Sequence, residues 1–179
     1  VEYFQVPIAD LPLLQRVADF LVGLPVAAAE ARVETVGDWV HELAAGPPQG
    51  DLDLPTACRS AHVVEAHIDL NRVLDHKYEV RAVHYYPRGG GMGWHTNSLR
   101  PGWRLYVPRL LDPNPASGIV LEDRRIPDRP GYANLFRVGH GAWHAVVAHT
   151  ARFSAGIRLP DDAPEIDQLL NRTPSLVEC

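Results

Sequence analysis

The chain is 179 residues long with a net charge of −5, 46% hydrophobic and 22% charged residues. This suits one folded domain with its own core and excludes wholesale disorder. No apolar run approaches the roughly 18 residues of a membrane helix, and no charged segment leading into an apolar core opens the chain, so a soluble cytoplasmic protein without a membrane partner is expected. Cys58 and Cys179 match no metal or redox spacing and are predicted to be free thiols.

Charge is unevenly spread. Between Arg81 and Leu159 there are eleven arginines, no lysine and four acids (Asp112, Glu122, Asp123, Asp128), a net of +7, which leaves −12 for the remainder. That half is suited to meet anions, whether small carboxylates or phosphates, although any single arginine can equally solvate a β surface.

In chain order, Leu13, Leu14, Val17, Phe20, Leu21 and Leu24 recur at three- and four-residue steps after Asp10 and Pro12, which predicts an amphipathic helix over 10–24. A second helix is predicted over 27–45, with Val33, Val36, Val40 and Leu43 on one face and Gly46-Pro47 as its stop. An acidic, turn-rich loop follows over 47–55, then a short helical stretch over 69–76.

Beyond it the pattern turns to alternating or β-branched runs bounded by Gly and Pro, predicting strands over 78–86, 103–108, 118–121, 133–138, 145–148 and 152–159. The expected architecture is mainly β (α+β), a jelly-roll or double-stranded β-helix core with N-terminal helices packed outside. The expected organisation is a single domain: a largely helical part over 1–76, the jelly-roll core over 77–160 and a tail over 161–179.

Three segments carry candidate chemistry. In the run His84-Tyr85-Tyr86-Pro87-Arg88-Gly89-Gly90-Gly91-Met92-Gly93-Trp94-His95-Thr96-Asn97, a strand and a glycine-rich turn deliver an H-x-N pair. Residues two apart on an extended chain share a face, so His95 and Asn97 can converge on one ion. A later run, Gly139 to Val146, starts a strand at His144. Two histidines and one oxygen ligand with open positions opposite form the facial triad of non-haem iron(II) oxygenases. A lone histidine is more often a surface or packed residue than a ligand, and that plainer reading is preferred for His140 and His149.

The strand Arg152-Phe153-Ser154-Ala155-Gly156-Ile157-Arg158 carries two arginines at an even spacing, hence on one face. Guanidinium groups grip carboxylates in a bidentate fork, which suits a dicarboxylate co-substrate. Trp94, Trp103 and Trp143 flank the motifs and serve either as pocket walls or as core, and Arg104 is a further pocket candidate.

Together these segments resemble the 2-oxoglutarate/iron(II) dioxygenase superfamily, in which H-x-D, a distal His and an Arg in an R-[YF]-[SN] strand follow one another; His95, His144 and Arg152 match in order. The pattern is similar to both the prolyl-hydroxylase and AlkB-type branches, and the AlkB-type echo extends to Tyr86, Gly93-Trp94-His95 and Arg158, with His84 where that branch has Asn. The resemblance covers about 78–159. It implies iron(II) held by His95, Asn97 and His144, 2-oxoglutarate gripped by Arg152 with Tyr86, Arg158 and His84 lining its pocket, and O2 as the other co-substrate.

Asn97 departs from the superfamily's Asp or Glu. Its amide oxygen can ligate but brings no negative charge. Three explanations follow: Asn97 ligates weakly, a nearby carboxylate such as Glu122 or Asp123 substitutes, or iron chemistry has been lost and a catalytically silent jelly-roll binding protein remains. The expected activity is hydroxylation of a small-molecule or peptide substrate, with the arginine-rich half suited to an anionic one. A nucleic-acid demethylase of the AlkB type is the alternative, made less suitable by the acidic N-terminal half and the absence of a lysine-rich lid.

Overall fold

The computed structural model describes residues 2–49, 57–74, 78–112 and 114–172. Eleven strands form one continuous antiparallel ladder that folds over into two faces. The first face runs β1 (Tyr3–Pro7), β9 (Tyr132–Val138), β6 (Gly102–Leu110), β11 (Arg152–Leu159), β4 (Glu79–Tyr86) and β3 (Cys58–His62). The second continues from β3 through β5 (Gly90–His95), β10 (His144–Ala148) and β7 (Gly118–Leu121) to β8 (Arg125–Pro127), with β2 (Glu34–Val36) also paired to β3. The fold is therefore mainly β, a jelly roll, and β3 is the hinge between its faces: Ala61 and His62 pair with β4, whereas Cys58 and Arg59 pair with β5.

Side chains alternate across each strand. On the first face Val83, Tyr85, Leu105, Val107, Phe153, Ala155 and Ile157 point outward into the main core, where the helices cover them. Helix α1 (Pro12–Val22) starts at a proline, whose missing N–H costs nothing at that position, and buries Leu13, Leu14, Val17 and Leu21. Each fully buried leucine contributes roughly 1.5–3 kcal/mol of apolar transfer free energy. Helix α4 (Val64–Val73) adds Ala66 and Leu70, and α5 (Pro164–Arg172) adds Ile166 and Leu169. The residues left facing inward, between the faces, are those of the site.

The N-terminal part is less helical than its sequence pattern suggests. In place of one helix over 27–45 there are α2 (Val26–Glu30), β2 and α3 (Trp39–Ala45). Gly37, at φ 67°, turns the chain, and the Asp38 carboxylate accepts the His41 backbone N–H to start α3 afresh. The helix expected over 69–76 begins earlier, at Val64, and the tail contains α5. β1, β2 and β3 are strands within the part expected to be helical. Most of the loop over 47–55 lies outside the described residues, as does Cys179; Cys58 is a free thiol.

No helix among the described residues is long and apolar enough to cross a membrane.

Candidate functional site

β5 and β10 lie side by side in the second face, and their register sets His95 directly opposite His144. The ring centroids are 4.1 Å apart with the planes inclined by 54°. Each imidazole is fixed by its own chain: His95 Nδ1 donates to the Gly93 carbonyl at 2.9 Å, and His144 Nδ1 donates to the Ala142 carbonyl at 3.0 Å. Protonation at Nδ1 leaves Nε2 of a neutral ring as a lone-pair donor, which is the tautomer a metal needs. Burial, with His95 beside it, holds His144 well below the usual histidine range, so its ring is neutral at physiological pH.

The glycines of β5 make this pairing feasible. A Cβ on Gly91 would run into the Val146 carbonyl oxygen of β10 and stand 2.7 Å from the ring of Trp39, which α3 lays across the strand. Gly90, Gly91 and Gly93 thus belong to the strand itself, where the sequence suggests a turn; they are small because neighbouring backbone and α3 press on it.

Asn97 reaches the pair by a different route from the one its spacing suggests. β5 ends at His95, and Asn97 sits at φ 57°, a left-handed conformation that Asn tolerates better than most residues. This turn carries the side chain back, so that Asn97 Nδ2 donates to His144 Nε2 at 3.2 Å. Amide oxygen and nitrogen occupy nearly the same envelope, and a half-turn of the side chain would offer oxygen at that place. Two imidazole nitrogens and one neutral amide form a donor set that fits a divalent ion such as iron(II), without a charge to offset it. Glu122 and Asp123 do not complete it: both are exposed, and Asp123 pairs with Arg124. Among the described residues, no three His, Cys, Asp or Glu side chains are placed to share an ion.

The three residues open onto a cavity of about 210 Å³ between the two faces. Met92, Ile119, Phe136 and Val146 make an apolar side, with the Phe136 ring edge-on to His144 at 5.1 Å. Tyr86, His84, Ser154 and Arg152 make a polar side. The Arg152 guanidinium lies 5.3 Å from the Tyr86 ring centroid, and His84 stacks between Tyr86 and His62 at 5.6 and 4.8 Å. Burial, then the charges of His62, His95 and Arg152, push His84 down to about 3, so it too is neutral. Its Nδ1, the Ser154 hydroxyl oxygen and Arg152 Nε are buried without a hydrogen-bond partner. Such atoms are costly to leave unmatched and favour a polar occupant of the cavity.

Arg152 has a partner that the sequence did not single out. Its Nη1 forms an ion pair with Asp128, just past β8, with both residues out of solvent. Burial pulls Arg152 down to about 10, against the opposing influence of Tyr86, and it stays charged at neutral pH. Asp128 is separated from Arg152 by two dozen residues and carries no motif, so only the folded register reveals it. A carboxylate can engage two of the five N–H donors of a guanidinium, which leaves others for a ligand.

Other expected site residues lie elsewhere. Trp94 and Trp143 do not line the cavity: each precedes its histidine by one residue and therefore points to the opposite side of the strand, where both pack with Leu43 of α3. Trp94 also donates to the Leu43 carbonyl at 3.3 Å. Arg158 shares the face of Arg152 but lies beyond the cavity, at its mouth, 3.6 Å from Glu79; it does not grip the same ligand carboxylate. Arg104 is beside it, its guanidinium donating to the backbone carbonyls of Trp103 and Arg100. His140 and His149 are exposed. Tyr106, stacked on Phe136 at 5.2 Å, lines the cavity without any sequence signal.

No family model matches the chain, and no curated protein matches it in sequence. Among solved structures it is similar to a Pseudomonas putida prolyl-4-hydroxylase, with a TM-score of 0.46 and 14% identity over 89% of this chain and 93% of that one.

Proposed function

We propose that this chain is a non-haem iron(II)- and 2-oxoglutarate-dependent oxygenase that hydroxylates a small-molecule or peptide-type substrate. The observation that carries the proposal is the cross-strand pair His95 and His144, each with Nδ1 tied to a backbone carbonyl and its ring turned into the same cavity. His95, His144 and Asn97 would hold the iron. Arg152 would meet a carboxylate of 2-oxoglutarate, with Tyr86, His84 and Ser154 beside it. When bound, iron and 2-oxoglutarate supply the capacity to activate O2 and oxidise an unactivated C–H bond.

The protein's own part is positional and electrostatic. The two backbone carbonyls fix ring orientation before a metal arrives, which lowers the reorganisation cost of binding. Neutral His84 adds no positive charge beside the metal position. Ile119, Phe136 and Val146 keep water from one side of the cavity, and Arg152 orients an anionic group on the other.

Two features favour a second reading, a catalytically silent jelly-roll binding protein: Asn97 supplies no charge to a metal, and Asp128 partly neutralises Arg152. Anaerobic titration with iron(II) and 2-oxoglutarate separates the readings. An oxygenase site gives a weak visible metal-to-ligand band and, in air, substrate-stimulated succinate, both lost in His144→Ala. Absence of the band from the wild type at saturating iron would favour the silent protein, and undiminished succinate from His144→Ala would reject the assignment.

A further inference from the structure

At one end of the cavity-facing surface, four arginines gather around a single glutamate. β11 sets Arg158 opposite Glu79 of β4 on one side and opposite Arg104 of β6 on the other. The ladder between β4 and β11 slips between Gly156 and Ile157, leaving Arg81 as an extra residue. Such a bulge places two successive side chains on one side of the strand. Arg81 and Ala82 accordingly both line the cavity, while Val80 and Val83 both enter the core. Glu79 forms ion pairs with Arg81, with Arg100 at 3.0 Å and with Arg158 at 3.6 Å.

Four guanidiniums to one carboxylate leave three positive charges in excess. Arg104 and Arg158 are directly opposite in the ladder, an arrangement of like charges that weakens a sheet. Burial and the charges of Arg158 and Arg81 lower Arg104 accordingly. Fold stability does not account for this cluster. Recognition of an anion does: the side chains of Arg81 and Arg158 are 36% and 40% exposed, open to a ligand entering the cavity. One carboxylate would fill a single guanidinium fork, whereas a phosphate monoester or diphosphate presents enough charge and acceptor oxygens for several.

We propose that the cavity mouth, formed by Arg81, Arg100 and Arg158 with buried Arg104 behind them, binds the phosphate or diphosphate group of a small phosphorylated substrate and so holds the rest of that molecule within the cavity. The substrate role rests on the oxygenase reading; the anion site does not. A small molecule is favoured over nucleic acid because the arginines paired with Glu79 sit at one end of a small cavity, in a chain of net charge −5.

Calorimetric titration of the metal-free protein with inorganic pyrophosphate, at fixed ionic strength, tests the site independently of iron and 2-oxoglutarate. Arg81→Ala combined with Arg158→Ala is expected to weaken binding about tenfold or more, while Arg124→Ala, an exposed arginine paired with Asp123, leaves it unchanged. Glu79→Gln, which releases the arginines from their shared carboxylate, is expected to tighten it; this gain cannot come from misfolding. No binding to the wild type, equal weakening by Arg124→Ala, or unchanged affinity in Glu79→Gln would overturn the proposal. So would a single-stranded oligonucleotide that outcompetes pyrophosphate at matched phosphate concentration. Pyrophosphate binding without the iron–2-oxoglutarate band would retain the anion site and reject only the oxygenase reading.

Discussion

Arg152 and Asp128 are matched charges inside the jelly roll, the guanidinium on β11 and the carboxylate just beyond β8, with 2% and 4% of their surface exposed. The pair ties together the two faces between which the cavity lies, so the arginine has a structural duty as well as a place at the cavity wall. Removing one member of a buried pair strands the other charge, at a cost of about 3–5 kcal/mol.

Arg152→Ala is therefore expected to lower stability by roughly that amount, in addition to removing any grip on a co-substrate. Replacing both members, as in Arg152→Met with Asp128→Leu, should recover much of the loss while leaving 2-oxoglutarate turnover absent. Urea denaturation midpoints for the single and double variants measure this. A single variant as stable as wild type would show that the pair bears no structural load.

Asn97 offers the cleanest test of the metal position. Asp is tolerated in the same left-handed backbone, so Asn97→Asp adds a charge with little change of shape. A negative ligand beside a divalent ion is expected to tighten iron(II) binding by about tenfold or more, equivalent to roughly 1.4 kcal/mol or above. Competition against a chromophoric chelator measures it. Equal affinities would mean that position 97 does not touch the ion.

β4, β6, β7, β9, β10 and β11 were legible because period-two alternation and Gly/Pro punctuation are local signals, and the ranges over 118–121 and 152–159 agree with β7 and β11; β5, read as a glycine-rich turn, and the short β8 were not. His95, Asn97, His144, Arg152, Tyr86 and His84 line one cavity; Tyr86 and His84 came from the family resemblance and not from spacing. Legibility failed where a contact distant in sequence decides the outcome. β1 is a strand because β9 pairs with it, and β2 because β3 does; neither run has an alternation long enough to stand out from the helical patterns around it. Asp128 was a lone acid among arginines until the fold set it against Arg152. The bulge at Arg81 depends on two strands at once, so the cluster at the mouth has no counterpart in either strand read alone.

Acid should weaken the metal-free protein well above the carboxylate range. His84 is held neutral down to about 3 in the folded state, while an unfolded histidine takes up its proton near 6.5. Below that pH the unfolded chain binds more protons, so stability falls as pH falls, by about 1.4 kcal/mol per pH unit for each such group. Between pH 6.5 and 5 Glu79 contributes little, because its arginines keep it below the usual range despite the opposing effect of burial. The urea midpoint should thus drop from pH 7 to pH 5, and His84→Asn should flatten the drop. Identical pH slopes for variant and wild type would remove His84 as its source.

Gly91 tests whether the histidine pair depends on the close approach of its two strands. A methyl group there meets the Val146 carbonyl oxygen and the Trp39 ring, neither of which is the free end of a flexible side chain. Gly91→Ala must therefore push β5 away from β10 or lift α3, with an overpacking cost of about 1–3 kcal/mol. Gly93→Ala is the control, since its methyl meets chiefly the Glu42 carboxylate, which can swing aside. Both variants should fold, but Gly91→Ala should bind iron(II) more weakly than Gly93→Ala because displacement of β5 separates His95 from His144. Chelator competition on the two folded variants decides it, and equal affinities would mean that the imidazoles hold their positions without the tight strand contact.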